Sequence, residues 1–327
     1  LRPLDLATEY ATFGTAGATS NVREVASVGV AAGATTINAL VINNAAAATN
    51  VLGTATAGDL LTNTSGAFLF TLTGGATGTT YTTTLGDFTD GIAVGPLSGS
   101  VGDEYIFHVV NPDAGDNSIA LTAAITSDLI SNSDIIKSGR GTLDLTALDA
   151  ITNEAGGIAN STTINEGTLL IDALQNIGGA LGVGGLHFAG GTLELTGGFA
   201  DDLSDRTITF DANSGGAIND GGIDTTLANA LGAGSGAFVK AGAGNMTLSA
   251  TSTRTGDTDV AEGTLTIGAN NAIGVGGDLD LQGTVTLALG TSNLDVGTFT
   301  TSGTGTPVMT GSGTITASED FEFNHST

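Results

Sequence analysis

Five segments of this chain spell almost the same word: "GTLDL" (141–145), "GTLLI" (167–171), "GTLEL" (191–195), "GTLTI" (263–267) and "GTVTL" (283–287). In each, a glycine and a threonine precede apolar residues at the third and fifth positions. A run this short with a period of two reads as a strand with one face turned inward. The leading glycine permits positive φ at a corner. "GSGTIT" (311–316) is a further, degenerate copy. A five-residue strand cannot bury its inward face alone, so such strands must stack coil upon coil.

A longer duplication orders these words. "KSGRGTLDL" starts at Lys137 and "KAGAGNMTL" at Lys240, a shift of 103, and these are the chain's only two lysines. Ile136/Val239, Gly139/Gly242, Gly141/Gly244, Leu143/Met246 and Leu145/Leu248 coincide. "TINEGTLLIDA" (163–173) then matches "DVAEGTLTIGA" (259–269) at a shift of 96, which aligns Glu166 with Glu262. "GTLEL" matches "GTVTL" at a shift of 92. Order is kept while spacers shrink, as in a tandem duplication with drifting loop lengths. Upstream, residues 35–45, 67–75, 103–111 and 117–126 read as strands without the repeat. The organisation is therefore a less regular β-rich portion, 1–132, and a duplicated portion, 133–327. No Pro- or Ser-rich linker and no step in charge separates them, which predicts one continuous elongated body.

The fold class predicted is all-β, a parallel β-helix (β-solenoid) whose successive coils pair at about 4.8 Å. A β-sandwich array is the alternative. Its hairpins would call for Asn-Gly or Asp-Gly turns, and "DG" occurs at 90–91 and 220–221. Abundant glycine (52 residues) with 12% charged residues could also mean disorder, but 40% hydrophobic residues in regular alternation argue for order. The net charge of −26 excludes a basic surface for nucleic acid or anionic membrane. Zero cysteine excludes disulfides, thiol catalysis and zinc–thiolate sites. No apolar run approaches the roughly 20 residues of a membrane span, so membrane insertion is not expected. No signal peptide is visible and Leu1 is not methionine, the pattern of a mature or excised product.

"KSGRGTLDLTA … STTINEGTLLIDA" and "KAGAGNMTLSA … TDVAEGTLTIGA" resemble autotransporter-associated β-strand repeats, also called passenger-associated transport repeats. Their pattern is K-x-G-x-G-x-L-x-L, a variable loop, then T-x-V/I-x-x-G-x-L. The run "DEYIFHVV … NSIALTAAIT" resembles the strand pair that precedes the first repeat in such proteins. The resemblance covers residues 103–290 well and 35–75 loosely. It implies a right-handed β-helix on a large secreted or bacterial cell-surface protein. The chain departs from the pattern at Arg140, where a small residue is usual. It also shows no C-terminal membrane barrel within its 327 residues, so self-translocation is not implied.

Candidate sites follow from the same reading. Each lysine is expected at a surface corner, its stem over apolar neighbours and its ammonium in water. Glu166 follows Lys137 by 29 residues and Glu262 follows Lys240 by 22, about one coil, so Lys137–Glu166 and Lys240–Glu262 are expected as inter-coil pairs. Asp201, Asp202, Asp257, Asp259, Asp278 and Asp280 are weak calcium candidates. The plainer reading of these carboxylates is a solvated acidic face. No other cofactor is expected. His108, His187 and His325 lie in unrelated contexts and assemble no catalytic set. The ends alternate apolar and polar residues, which makes Leu4, Leu6, Phe321 and Phe323 assembly candidates.

The expectation is a non-enzymatic extracellular structural protein, a subunit of a surface fibre, filament or sheath. Its partner would be itself, head to tail, or neighbouring segments of a longer chain. An adhesin passenger stalk is the alternative, and it requires an exposed apolar patch away from the ends. A glycan-active β-helix would need carboxylates clustered on one face together with basic or aromatic residues. Seven basic residues and no tryptophan argue against it.

Overall fold

The computed structural model describes residues 10–44, 47–72, 79–95, 104–110, 119–130, 133–148, 161–178 and 184–324. The chain forms two compact units, Leu1–Leu170 with Gln175–Gly182, and Ile171–Leu174 with Val183–Thr327. The change in sequence regularity at 132/133 lies inside the first unit.

The first unit is a parallel β-helix with three faces. One face stacks Asn21–Glu24, Ala39–Asn44, Ala67–Leu72, Glu104–Val109, Asp134–Ser138 and Thr162–Ile164. The second stacks Val28–Gly29, Ala48–Leu52, Thr79–Gly86, Ile119–Ile125, Thr142–Asp144 and the strand beginning at Thr168. The third stacks Thr35–Ile37, Leu61–Asn63 and Ile92–Val94, continued by a bridge from Ile92 to Leu129. The run at 35–45 is thus two strands, turning a corner at Asn38. Chain neighbours go to different faces, and each strand pairs with its counterpart one coil later. Alternation puts Phe68, Phe70, Tyr105 and Phe107 inside, where Phe68 and Phe107 stack at 5.1 Å. Burying each such side chain contributes about 1.5–3 kcal/mol.

The second unit repeats the principle with shorter coils. Register partners Phe238, Thr258, Leu279, Phe299 and Phe321 follow one another by 20, 21, 20 and 22 residues. A neighbouring face stacks Thr225–Leu227, Asn245–Leu248, Thr264–Ile267, Thr286–Gly290 and Val308–Gly311. Phe188, Phe210 and Phe238 stack at 5.1 and 5.3 Å inside. Every strand pairing described in either unit is parallel, and the one antiparallel contact among the described residues is the bridge Asp211–Gly215. This excludes a sandwich of hairpins there.

Candidate functional site

Both lysines are buried, which corrects the surface placement expected of them. Lys137 and Lys240 are each 0% exposed. They occupy inward positions of the strands Asp134–Ser138 and Phe238–Ala241, where alternation alone would place a leucine. The chain then turns at Gly139 or Gly242, both at positive φ, and aims main-chain carbonyls back at the ammonium. Lys137 Nζ donates to the carbonyls of Ser138 (3.0 Å), Gly139 (2.6 Å) and Glu166 (2.8 Å). Lys240 Nζ donates to those of Gly242, Gly244 (3.0 Å) and Glu262 (2.8 Å). Three N–H groups meet three carbonyls, and the third carbonyl always belongs to the next coil. A lysine here clamps two coils together.

The glutamates meet their lysines, but through the main chain. Their side chains point into solvent, because carboxylates keep their hydration when a neutral carbonyl can satisfy the buried ammonium. Glu166 Oε1 instead accepts from Arg140 Nε at 3.0 Å, with about half of each side chain exposed. This accounts for an arginine where the repeat usually has a small residue. The glycine after each glutamate has a steric cause. A Cβ at Gly167 would lie 2.4 Å from the Gly139 carbonyl oxygen, and one at Gly263 would lie 2.7 Å from Lys240 Nζ.

The two corners differ in one respect. Asp220 Oδ2 sits 2.8 Å from Lys240 Nζ, both side chains being 0% exposed. This is an ion pair rather than an aligned hydrogen bond, since the three ammonium protons already point at carbonyls. Asp220 Oδ1 accepts from the N–H groups of Gly222 (3.0 Å) and Gly244 (2.9 Å). At Lys137 no carboxylate lies within ion-pair distance among the described residues. Lys240 pairs in register with Ile218, and Lys137 with Phe107, so the position of Asp220 corresponds to Val109. Burial pulls the Lys137 ammonium down to about 7, against the weaker opposing effect of the Glu166 charge.

Sequence reasoning missed Asp220 and Arg254. Arg254 is 1% exposed. Its guanidinium donates to Thr258 Oγ1 (3.0 Å) and to the carbonyls of Ile273 (2.7 Å), Gly236 (2.7 Å) and Asp257 (2.9 Å). It also lies over the rings of Phe210 and Phe238, at 5.4 and 5.9 Å. Burial lowers it to about 10, while the Asp257 charge opposes the shift.

The acidic candidates are engaged with the chain itself. Asp201 Oδ2 accepts from Leu174 N, and Asp202 caps the short helix Leu203–Asp205 through Ser204. Asp257 accepts from Asp278 N, Asp278 from Thr298 N, and Asp280 from Ser302 Oγ. Asp259 and Asp280 are register partners. Burial pushes the Asp259 carboxyl up, and the Asp280 and Asp257 charges add to that. Among the described residues, no three His, Cys, Asp or Glu side chains gather as a metal cluster. His108 Nδ1 meets Ser138 Oγ at 2.8 Å and His187 Nδ1 meets Thr209 Oγ1 at 2.9 Å. His325, Leu4 and Leu6 lie outside the described residues.

Two surfaces remain. In the last coil, Val308 (48%), Met309 (51%), Phe321 (47%) and Phe323 (62%) are exposed. Met309, Phe321 and Phe323, with Phe299 and Ile315, line a cavity of about 260 Å³. On an outward face of the first unit, Ala67, Ile106 and Ile136 form one row and Val41, Leu69 and His108 the next. Val41, Ala67, Leu69, Ile106 and His108 line a shallow apolar cleft of about 300 Å³. Among the described residues, no helix is long and apolar enough to cross a membrane.

The fold and corners define a parallel β-helix whose coils are clamped by buried lysines. The chain carries a passenger-associated transport repeat: residues 238–267 match that family and hold Lys240, Gly242, Gly244, Glu262 and Gly263. The Lys137 corner repeats the geometry outside the matched residues. The adhesin BmaC autotransporter of Brucella suis biovar 1 (strain 1330) is 35% identical over 163 residues, covering 48% of this chain and 4% of that protein. The matched part thus spans a small fraction of that relative. No solved structure matches the chain. Both findings point to a secreted or surface-exposed polypeptide.

Proposed function

We propose that the chain is a non-enzymatic segment of an extracellular adhesin passenger at a bacterial cell surface, with the first unit carrying a contact surface. The observation that carries this reading is the outward apolar cleft of Val41, Ala67, Leu69 and Ile106. In the second unit an outward row runs Ala217, Val239, Asp259, Asp280, Thr300 and Glu322, and is polar from Asp259 onward. The similarity to an autotransporter adhesin supports the same reading. The test is adhesion of beads coated with the chain to cultured animal cells and to matrix-protein films. Leu69→Asp with Ile106→Asp, checked for an unchanged β-sheet spectrum, should abolish adhesion, while Thr266→Asp should not. Undiminished adhesion by the double variant, or none above bare beads, would overturn the reading.

A second reading, self-association, is favoured by the exposed Val308, Met309, Phe321 and Phe323. Glu319, Asp320 and Glu322 on the same coil oppose it by like-charge repulsion. Sedimentation velocity over a hundredfold concentration range should then show reversible oligomers that Phe323→Lys removes. A single species throughout would end this reading.

A further inference from the structure

The apolar cleft of the first unit is part of a narrow strip with a cation at one end. Arg23, Val41, Leu69 and His108 follow one another in register on four successive coils, all on the outward face. Ala67, Ile106 and Ile136 run beside them, two residues back along each strand. Coils pair at about 4.8 Å, so Arg23 and His108 stand about 14 Å apart, and the two rows are about 7 Å apart. A patch this narrow offers a small fraction of the about 800 Å² that a stable protein interface takes from each partner. Its cleft of about 300 Å³ instead sits at the lower end of small-molecule sites. Its length matches the extended chain of dodecanoate.

Charge selects the head group. Lys137, Arg206, Lys240 and Arg254 are buried, and Arg140 pairs with Glu166. Arg2 lies outside the described residues. Arg23 is partly exposed, and among the described residues no ion pair engages it. Its neighbour Glu24 is buried and accepts from Phe13 N instead. At the far end, Glu104 and Asp134 flank Ile106 and Ile136 and repel an anion there. We propose that the strip binds a long-chain carboxylate, its aliphatic tail along Val41, Leu69 and Ile106 and its carboxylate on the Arg23 guanidinium. The proposal rests on the reading of this cleft as a contact surface and names what that surface takes.

The experiment is titration of the full chain with dodecanoate below its micelle concentration, followed by calorimetry and by methyl NMR. Binding should saturate at one site, with shifts at the methyls of Val41, Leu69 and Ile106 and none at Met309 in the last coil. Arg23→Gln removes a charged hydrogen-bond donor and should weaken binding about tenfold. Leu69→Asp should abolish it, so either variant suffices if the other does not fold. Octanoate should bind at least tenfold more weakly than dodecanoate, from about a twofold gain per half-buried methylene. Dodecyltrimethylammonium, with the same tail and the opposite charge, should not bind. No saturable shift, equal binding of the two head groups, or undiminished binding by Arg23→Gln would overturn the proposal. So would binding to phosphatidylglycerol vesicles without binding to free dodecanoate, which would make the occupant a bilayer. Beads that adhere to cells through this cleft while dodecanoate does not bind would overturn the proposal and leave the contact-surface reading standing. Dodecanoate binding without bead adhesion would support the proposal and end the adhesion reading alone.

Discussion

Asp220→Asn changes one buried oxygen to an amide and leaves the corner's shape alone. In the native second unit, Lys240 and Asp220 are both 0% exposed and 2.8 Å apart. Removing one partner of such a pair leaves an unneutralised charge in the interior, which costs about 3–5 kcal/mol. Asparagine must also choose between two losses. If its oxygen keeps the N–H groups of Gly222 and Gly244, its NH₂ faces the ammonium. If it flips, the buried Gly244 N–H loses its acceptor, at about 1–3 kcal/mol. Either way the expected loss is at least 3 kcal/mol, or roughly 6–20 °C in the melting temperature of a unit this size. The assay is urea unfolding followed by far-ultraviolet circular dichroism, with hydrogen exchange assigning the transition to the second unit. Lys240→Met in the Asp220→Asn background should recover much of the loss, because replacing both members of a buried pair by neutral groups is often close to neutral. A loss under about 1 kcal/mol for Asp220→Asn, with no recovery in the double variant, would refute a dry interior for this pair.

Three further outcomes are expected. Gly263→Ala places a methyl 2.5 Å from two carbonyl oxygens and 2.7 Å from Lys240 Nζ at a φ of +66°. It should destabilise the second unit by roughly 2–4 kcal/mol, while Gly198→Ala, with nothing within 4 Å, should stay within about 0.5 kcal/mol by the same unfolding assay. Arg254→Lys cannot reproduce four hydrogen bonds and two ring contacts with one ammonium, so a loss of about 2–4 kcal/mol is expected by urea unfolding. Asp280→Asn removes a charge that raises the Asp259 carboxyl. Carboxyl NMR titration should therefore show Asp259 ionising at lower pH, with less of the stability loss that a raised carboxyl brings as pH climbs through its titration.

The coil architecture was legible because glycine and alternation carry it. "GTLEL" and "GTLTI" could only be short strands after corners, and they are: Thr192–Leu195 and Thr264–Ile267. The lysines were found by their repetition and misplaced by their chemistry. Burial of a lysine is the exception, and only carbonyls converging from two coils make it tolerable, which no local pattern reveals. The same holds for Asp220. It precedes Lys240 by one coil, but coil length runs from 20 to 22 residues along that part of the chain, so its register could not be counted from sequence. Arg254 lay in "TSTRTGD", a stretch that reads as a polar loop. Its burial depends on Phe210 and Phe238, which arrive from earlier coils. The outward strip of Val41, Leu69 and Ile106 was hidden for the opposite reason. In a strand buried on one face, an apolar residue at an outward position looks like noise until neighbouring coils align several of them.

The central claim is that both lysines are sealed clamps between coils. With only two lysines in the chain, amine acylation of the native protein, followed by peptide mass spectrometry, tests it directly. Peptides containing Lys137 and Lys240 should stay unmodified under native conditions and become labelled in urea at the unfolding midpoint. Labelling of either lysine in the native protein at the rate of an unfolded control would contradict it.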